Sequence, residues 1–485
     1  MSIAVVDGHN VFAKGFGFAS FPDTPATPET LYYVGSTSKA HTAATLAQLI
    51  DTKAYPELSR GWTTPISSII RDDFVLQDEW ATNHITLDDA VSHLTGMSHH
   101  DNSWHREING TQVTLKDVVR NLRNLPLSLE PRVEWHYCNL MYVTLSHVIE
   151  SLTGKWLGDV MKDLIWDPLG MKTTYMNLDD AKNAPVPLAR SYLWKEEEKK
   201  YKEMPFMPIT EVSGAGAIIS NVLDYAKWLK CLIHEAEPFS KAVHNDIRTP
   251  RSIANSDLGL DTDIALYGLA WMRTLLYGAV TYTHEGSTIT YGASVYWLPD
   301  LKYGVVAFAN GAESSNEAEA VILRKVIGDK LQIPPSERED IGKRLKEIRE
   351  QAARDLKNAD EILFPNRPKH ALPHSVATSQ LTGVYHDQGY GTIRLYEEPN
   401  PDKANETILV ADRTELTWQQ QFRLHHVSGD YWTVYIKYLA GLDPVMEFQT
   451  GEFKIGVDGK VSSLEVDFND RGDVHQGAIL FNKID

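Results

Sequence analysis

The feature that most constrains the fold is a split: strand-like runs fall at both ends of the first 330 residues, and helical runs fill the space between. Residues 3–6 (Ile-Ala-Val-Val) are apolar and β-branched, Asp7-Gly8 reads as a turn, and residues 11–18 complete a hairpin. Residues 267–273, 279–284, 292–298 and 304–309 alternate in the strand manner, with Pro299-Asp300 marking a turn. Between these ends, helices are expected at residues 86–94, at residues 140–151 before Gly154, and at residues 221–234 behind an Asn cap. Strands gathered from two distant stretches imply an antiparallel sheet flanked by helices, with the inserted helices forming a lobe. That is an α/β (α+β) architecture.

Residues 335–374 differ in character. Ser336 and Glu339 read as a capping box after Pro334-Pro335. Ile341, Leu345, Ile348, Ala352 and Leu356 then form a narrow apolar stripe in a charged helix, expected to pack across the back of the first domain; a coiled-coil partner helix is the alternative. Pro365, Pro368 and Pro373 mark a boundary. Beyond it the pattern is strand, turn, strand, with Ser428-Gly429-Asp430 and Asp458-Gly459 as tight turns. Seven or eight short strands in about 105 residues suggest a small all-β barrel or sandwich. The expected division is therefore residues 1–334, a linker at 335–374, and a β domain at 375–485.

A chain of 485 residues exceeds one ordinary core, which agrees with two domains. Its net charge of −18 argues against nucleic acid and anionic membranes as partners. No run is long and apolar enough to span a bilayer. Two cysteines, Cys138 and Cys231, give no disulfide framework, and no Cys/His spacing suggests zinc; a reducing compartment fits. With no signal peptide, a cytoplasmic location is expected, although a chain opening directly in a strand leaves room for a missing upstream segment.

Chemistry enters at Ser36-Thr37-Ser38-Lys39. A serine and a lysine three apart at a helix start share one face, so the amine can take the hydroxyl proton. Ser36 follows a strand-like Leu31-Tyr32-Tyr33-Val34 and precedes a helix carrying Ala43, Ala44, Leu46, Ala47 and Ile50. Its hydroxyl would lie near free N–H groups that favour an oxyanion. Lys39, drawn into an apolar helix, would be desolvated and could lose its proton near neutral pH. Two further segments supply what such a nucleophile needs. Tyr137 and Asn139 precede the apolar helix from Leu140, offering a proton relay and an amide for substrate. Thr283-His284-Glu285-Gly286-Ser287 ends a strand, where the N–H of Ser287 could complete an oxyanion hole.

Ser-x-x-Lys, Tyr-x-Asn and His-x-Gly in this order resemble the serine β-lactamase and penicillin-binding-protein superfamily, in the branch of class C-type esterases and D-aminopeptidases. Residues 85–97 (with His93-Leu94-Thr95-Gly96-Met97), Asp167-Pro168-Leu169-Gly170-Met171 and the glycine-rich residues 213–220 extend the resemblance over roughly residues 3–330. It implies Ser36 as acylated nucleophile, Lys39 as base and Tyr137 as co-base or relay. Asn139 would hold substrate and lysine, His284 would stand in place of the family's terminal-motif lysine, and Gly286 would let substrate lie along the strand edge. The amides of Ser36 and Ser287 would bind the oxyanion. Residues 375–485 resemble the lipocalin-like domain appended to such enzymes.

Tyr175-Met176-Asn177 opens no apolar helix, and His475-Gln476-Gly477 lies in the β domain. Ser98-His99-His100-Asp101 reads as a solvated loop rather than a metal site, and Cys138 as a packed small residue. His284-Glu285 in place of a lysine clamp disfavours carboxylate-bearing substrates and brings an acidic group near the cleft. The reading is a serine hydrolase acting on an ester or amide of a small molecule or peptide, without metal or organic cofactor. Acyl transfer, including peptide cyclisation, is the alternative, and a silent binding domain the reading from another class. The oligomeric state is not legible.

Overall fold

The computed structural model describes residues 1–196, 198–256, 262–312, 314–401, 406–439, 447–468 and 477–485. Two compact units form. One comprises Met1–Met97, Thr114–Arg120 and Glu130–Lys343; the other comprises Ser98–Val113, Asn121–Leu129 and Arg344–Asp485.

The first unit holds an eight-stranded antiparallel sheet. In chain order its strands are β1 (Ser2–Asp7), β2 (Asn10–Gly15), β3 (Ser252–Asn255), β4 (Ala265–Tyr267), β5 (Met272–Leu276), β6 (Ala279–Ser287), β7 (Gly292–Leu298) and β8 (Tyr303–Ala309). Their spatial order is β3-β4-β5-β6-β7-β8-β1-β2, so the two ends of the unit's sequence meet at the β8–β1 pair, Val5 opposite Val305. Every residue of β8 is buried, because helices cover both faces. Val305 and Ala307 pack against Leu323 and Ile327 of one helix, Ser315–Lys330. Gly304 lies under Leu229 and Ile233 of another, Val222–His234, and Phe308 meets Tyr225 edge-on.

The helices that position the site are α1 (Ser38–Thr52), α2 (Leu87–Val91), α3 (Asn139–Thr153), α4 (Val222–His234) and α5 (Ser315–Lys330). Local chemistry sets several of their ends. Thr86 and Asp89 form a capping box on α2, Gly154 ends α3 in the left-handed conformation, and Asn221 caps α4 through Leu223 and Asp224.

Three expectations need correction. The run at 267–273 is two strands, because Gly268–Trp271 make a turn with Ala270 at φ 59°. Leu269 and Trp271 are buried in that turn, so its apolar side chains mimic a strand. The capping box at Ser336 does not form: helix α6 (Ile341–Lys357) starts five residues later, where Asp340 accepts the Lys343 N–H. Its stripe is not packed along its length; Ile341 is buried, whereas Ile348 is 52 % exposed. One apolar residue per turn between charged flanks buries too little area to hold a helix down.

In the second unit, β9 (Gly383–Asp387), β10 (Gly391–Pro399), β11 (Thr407–Arg413), β12 (Gln420–Ser428), β13 (Tyr431–Tyr438), β14 (Glu447–Ile455), β15 (Val461–Asp467) and β16 (Ala478–Lys483) close into an antiparallel barrel. The segment expected as a solvated loop is built into this unit. His100 is buried and hydrogen-bonds Tyr390 Oη (2.7 Å) and the Pro126 carbonyl (2.9 Å). Trp104 stacks on Trp418, the Thr417 N–H donates to Trp104 O, and Gln420 donates to Asn102. All of these partners but Pro126 lie in the barrel, about 290 to 320 residues away, which is why a polar local sequence misleads.

Candidate active site

The site begins at a conformation that glycine permits. Gly35 takes φ +50°, turning the chain from the short strand Tyr32–Tyr33 into a 3₁₀ turn, Gly35–Thr37, that runs into α1. A β-carbon on Gly35 would lie 2.6 Å from Ser287 N. The turn puts Ser36 one step ahead of α1 and Lys39 in its first turn. Ser38 through Ala47 are all buried, so Lys39 is carried into the interior.

Lys39 Nζ stands 2.9 Å from Ser36 Oγ and donates to Ala215 O at 2.7 Å. It also lies 4.8 Å above the Tyr137 ring and 5.5 Å from that of Tyr142. A cationic or polar nitrogen gains from such aromatic faces when water is excluded. Tyr137 is half-buried two residues before α3, and Asn139 is the first residue of that helix.

His93, which the sequence offers only as part of the family resemblance, fastens this loop. Its carbonyl accepts the His136 N–H at 2.8 Å, and its Nδ1 accepts the Cys138 N–H at 3.0 Å. Tyr137 is thus pinned from both sides, with the His93 ring 4.4 Å from its own. Nδ1 as acceptor puts the proton of the neutral ring on Nε2. The left-handed backbone of His93 (φ 60°) turns the chain just after helix α2.

The third segment is the C-terminal end of β6. His284 is buried and held far below the ordinary histidine range, at about 3, by desolvation and then by Lys39. Its Nδ1 is 2.6 Å from the Glu285 carbonyl and its Nε2 is 3.1 Å from Tyr267 Oη. The neutral ring therefore donates from Nδ1 and accepts from the tyrosine, with both nitrogens engaged inside the protein. Glu285 lies on the opposite pleat; desolvation raises its carboxyl pKa, and Arg324 of α5 opposes the shift. Beyond it, a β-carbon on Gly286 would sit 2.0 Å from Val34 O and 3.0 Å from Ser36 N. Only glycine lets strand and turn come so close. Tyr137, Tyr267, Met272, Thr283, His284 and Glu285 line a cavity of 320 Å³.

Ser36, Lys39, Tyr137, His284, Gly286 and Ser287 thus converge from three separate segments, with Asn139 starting the adjoining helix. Tyr267 and Ala215 join them without having been foreseen. Tyr175-Met176-Asn177 lies elsewhere: Tyr175 pairs with Ile219, and Asn177 caps a short helix. His475 and Gln476 lie outside the described residues. Among the described residues no group of three or more His, Cys, Asp or Glu side chains gathers as for a metal ion, and no helix is long and apolar enough to cross a membrane. A buried amine against a hydroxyl, beside two converging backbone amides, is an arrangement that can activate a serine and receive a tetrahedral oxyanion.

Comparison with known proteins identifies the family. The Beta-lactamase family model matches residues 1–328. Over 470 residues the chain is 37 % identical to an unguisins hydrolase, ungD', of Aspergillus campestris, covering 96 % of this chain and 85 % of that one. A D-aminopeptidase of Gluconobacter oxydans is 21 % identical over 341 residues, 67 % of this chain and 58 % of its own. Among solved structures, an octameric penicillin-binding protein homologue from Pyrococcus abyssi aligns with a TM-score of 0.61 at 19 % identity, covering 99 % of this chain and 95 % of that chain. The barrel is therefore included in the fold likeness. The chain belongs to the Beta-lactamase family of serine hydrolases.

Proposed function

We propose that the protein hydrolyses an amide or ester bond in an uncharged peptide or small molecule through an acyl-enzyme on Ser36. The observation that carries this reading is the 2.9 Å approach of buried Lys39 Nζ to Ser36 Oγ. With one amine hydrogen on Ala215 O, the neutral form of the amine can turn its lone pair to the serine hydroxyl. Lys39 takes that proton as Oγ attacks the substrate carbonyl carbon. The oxygen of the tetrahedral adduct takes up negative charge and receives the N–H groups of Ser36 and Ser287. The C–N or C–O bond then breaks as the proton passes, by way of Lys39 and Tyr137, to the leaving nitrogen or oxygen. Water, losing a proton to the same pair, attacks the acyl ester, and Ser36 departs with its proton restored. Asn139 holds the substrate and the lysine, and Gly286 keeps the strand edge open for the substrate backbone.

The neutral state of His284 supports the substrate class. A cation there would attract a substrate carboxylate; a neutral ring with both nitrogens engaged offers none. The relative named for unguisins makes an unguisin the first substrate to test. Turnover of a neutral peptide amide or ester should exceed that of the same compound bearing a free carboxylate beside the scissile bond by at least tenfold in kcat/KM. Equal rates, or a preference for the carboxylate, would refute the assignment. Adding an amine acceptor separates hydrolysis from acyl transfer: diversion of most acyl groups to the amine at millimolar concentration would favour the transferase.

A further inference from the structure

The amide of Asn316, in the first turn of α5, donates from Nδ2 to the Gly286 carbonyl at 3.0 Å. Gly286 O and Ser287 N belong to one peptide unit, and a trans peptide directs its C=O and N–H to opposite sides. Ser287 N lies against the Gly35–Ser36 turn, where a β-carbon on Gly35 would be 2.6 Å from it. The carbonyl side faces β7 and α5. From that geometry we infer that Asn316 is a positioning residue, which orients and polarises the Gly286–Ser287 peptide so that its N–H binds the oxyanion more strongly. The inference rests on the Ser36 acyl-enzyme reading.

The physics is that of a hydrogen-bond chain. A donor on a peptide oxygen deepens the amide dipole and makes the N–H a better donor, by about 10–30 % per bond. The surroundings hold the Asn316 amide in place. Nδ2 also lies 3.4 Å from Ala293 O and 3.4 Å from Glu319 Oε2. That carboxyl oxygen in turn accepts Ser294 Oγ at 2.9 Å in a fully buried position. The helix start and the strand are in close contact: a β-carbon on Gly292 would meet Asn316 N at 2.9 Å and Oδ1 at 3.0 Å. Three acceptors, Gly286 O, Ala293 O and Glu319 Oε2, therefore surround the Asn316 amide. Asn316 touches no reacting atom, so its effect must pass through the peptide.

The test compares wild type with Asn316→Leu, which keeps the branched shape and removes the donor, and with Asn316→Ala in case the larger residue disturbs the helix. Labelling of Ser36 by a fluorophosphonate and turnover of a p-nitrophenyl ester are followed, together with the infrared carbonyl stretch of the acyl-enzyme and thermal unfolding. Losing an oxyanion donor outright costs about 10²–10³ in kcat. Weakening one donor should cost about tenfold in acylation rate at unchanged KM, with the acyl carbonyl stretch moved to higher wavenumber. Wild-type acylation and an unshifted stretch in both variants would overturn the inference while leaving Ser36 as nucleophile. A fall in Tm with loss of kcat and affinity together, and no shift of the stretch, would overturn it in favour of a packing role. Absence of label from Ser36 in the wild type would instead remove the underlying reading.

Discussion

Lys39 is a fully buried lysine whose amine meets a serine oxygen, a backbone carbonyl and two aromatic rings. Burying such a group costs stability, and replacement by an apolar side chain of similar volume is commonly neutral or stabilising. Lys39→Met should therefore hold or raise Tm while lowering turnover by about 10²–10⁴, the range of a lost general base. Unfolding scans and steady-state rates on the same preparation check this; lost activity with a lower Tm would point to structural damage. Gly286 tests the neighbouring contact. Gly286→Ala forces a β-carbon against Val34 O and Ser36 N, so the strand must retreat from the nucleophile. Stability should fall by about 1–3 kcal/mol, as for overpacking, and acylation should slow out of proportion. An alanine variant with wild-type kinetics would show that the close approach is dispensable.

Elements explain why some of this was legible and some was not. The strands at 292–298 and 304–309, the Asn cap of α4 and the glycine stop of α3 follow from local pattern and local chemistry, and they were read correctly. The role of His93 is set by residues over forty positions away, so no local signal specifies it. The turn at Gly268–Trp271 was hidden because its side chains fill the core. The same buried elements carry titrating groups. His41 in α1 stacks on Trp228 and is pushed down to about 3 by desolvation, as is His284 in β6, where Lys39 adds to the effect. Free histidine titrates near 6.5. Below that pH the unfolded chain binds protons that the folded imidazoles refuse, so stability falls as pH drops from about 6.5 toward 4. Each group contributes a slope of up to about 1.4 kcal/mol per pH unit. Urea midpoints at pH 7, 6 and 5 should decline, and His41→Phe should flatten the decline. An unchanged slope in that variant would contradict the assignment.

At the scale of the whole molecule, the sequence suggested a barrel after residue 375 but not that residues 98–113 and 121–129 fold with it. Those segments leave and re-enter the first unit between His93 and Tyr137. Within the second unit they supply His100, Asn102 and Trp104 to partners at Tyr390, Arg413, Thr417 and Gln420. Truncation at residue 374 should therefore bare Trp104, giving dye-binding, aggregation-prone protein. A soluble truncated form with wild-type Tm would show the barrel to be a detachable module. Within the second unit, desolvation also holds His100 at about 4, so acid should weaken its grip on this segment. The central proposal is acylation of Ser36, and the mass of the protein reports it directly. Wild type and Ser36→Ala should be incubated with a fluorophosphonate and analysed intact and after proteolysis. A single adduct on Ser36 in the wild type and none in Ser36→Ala is the predicted result; labelling of Ser36→Ala to wild-type extent would contradict it.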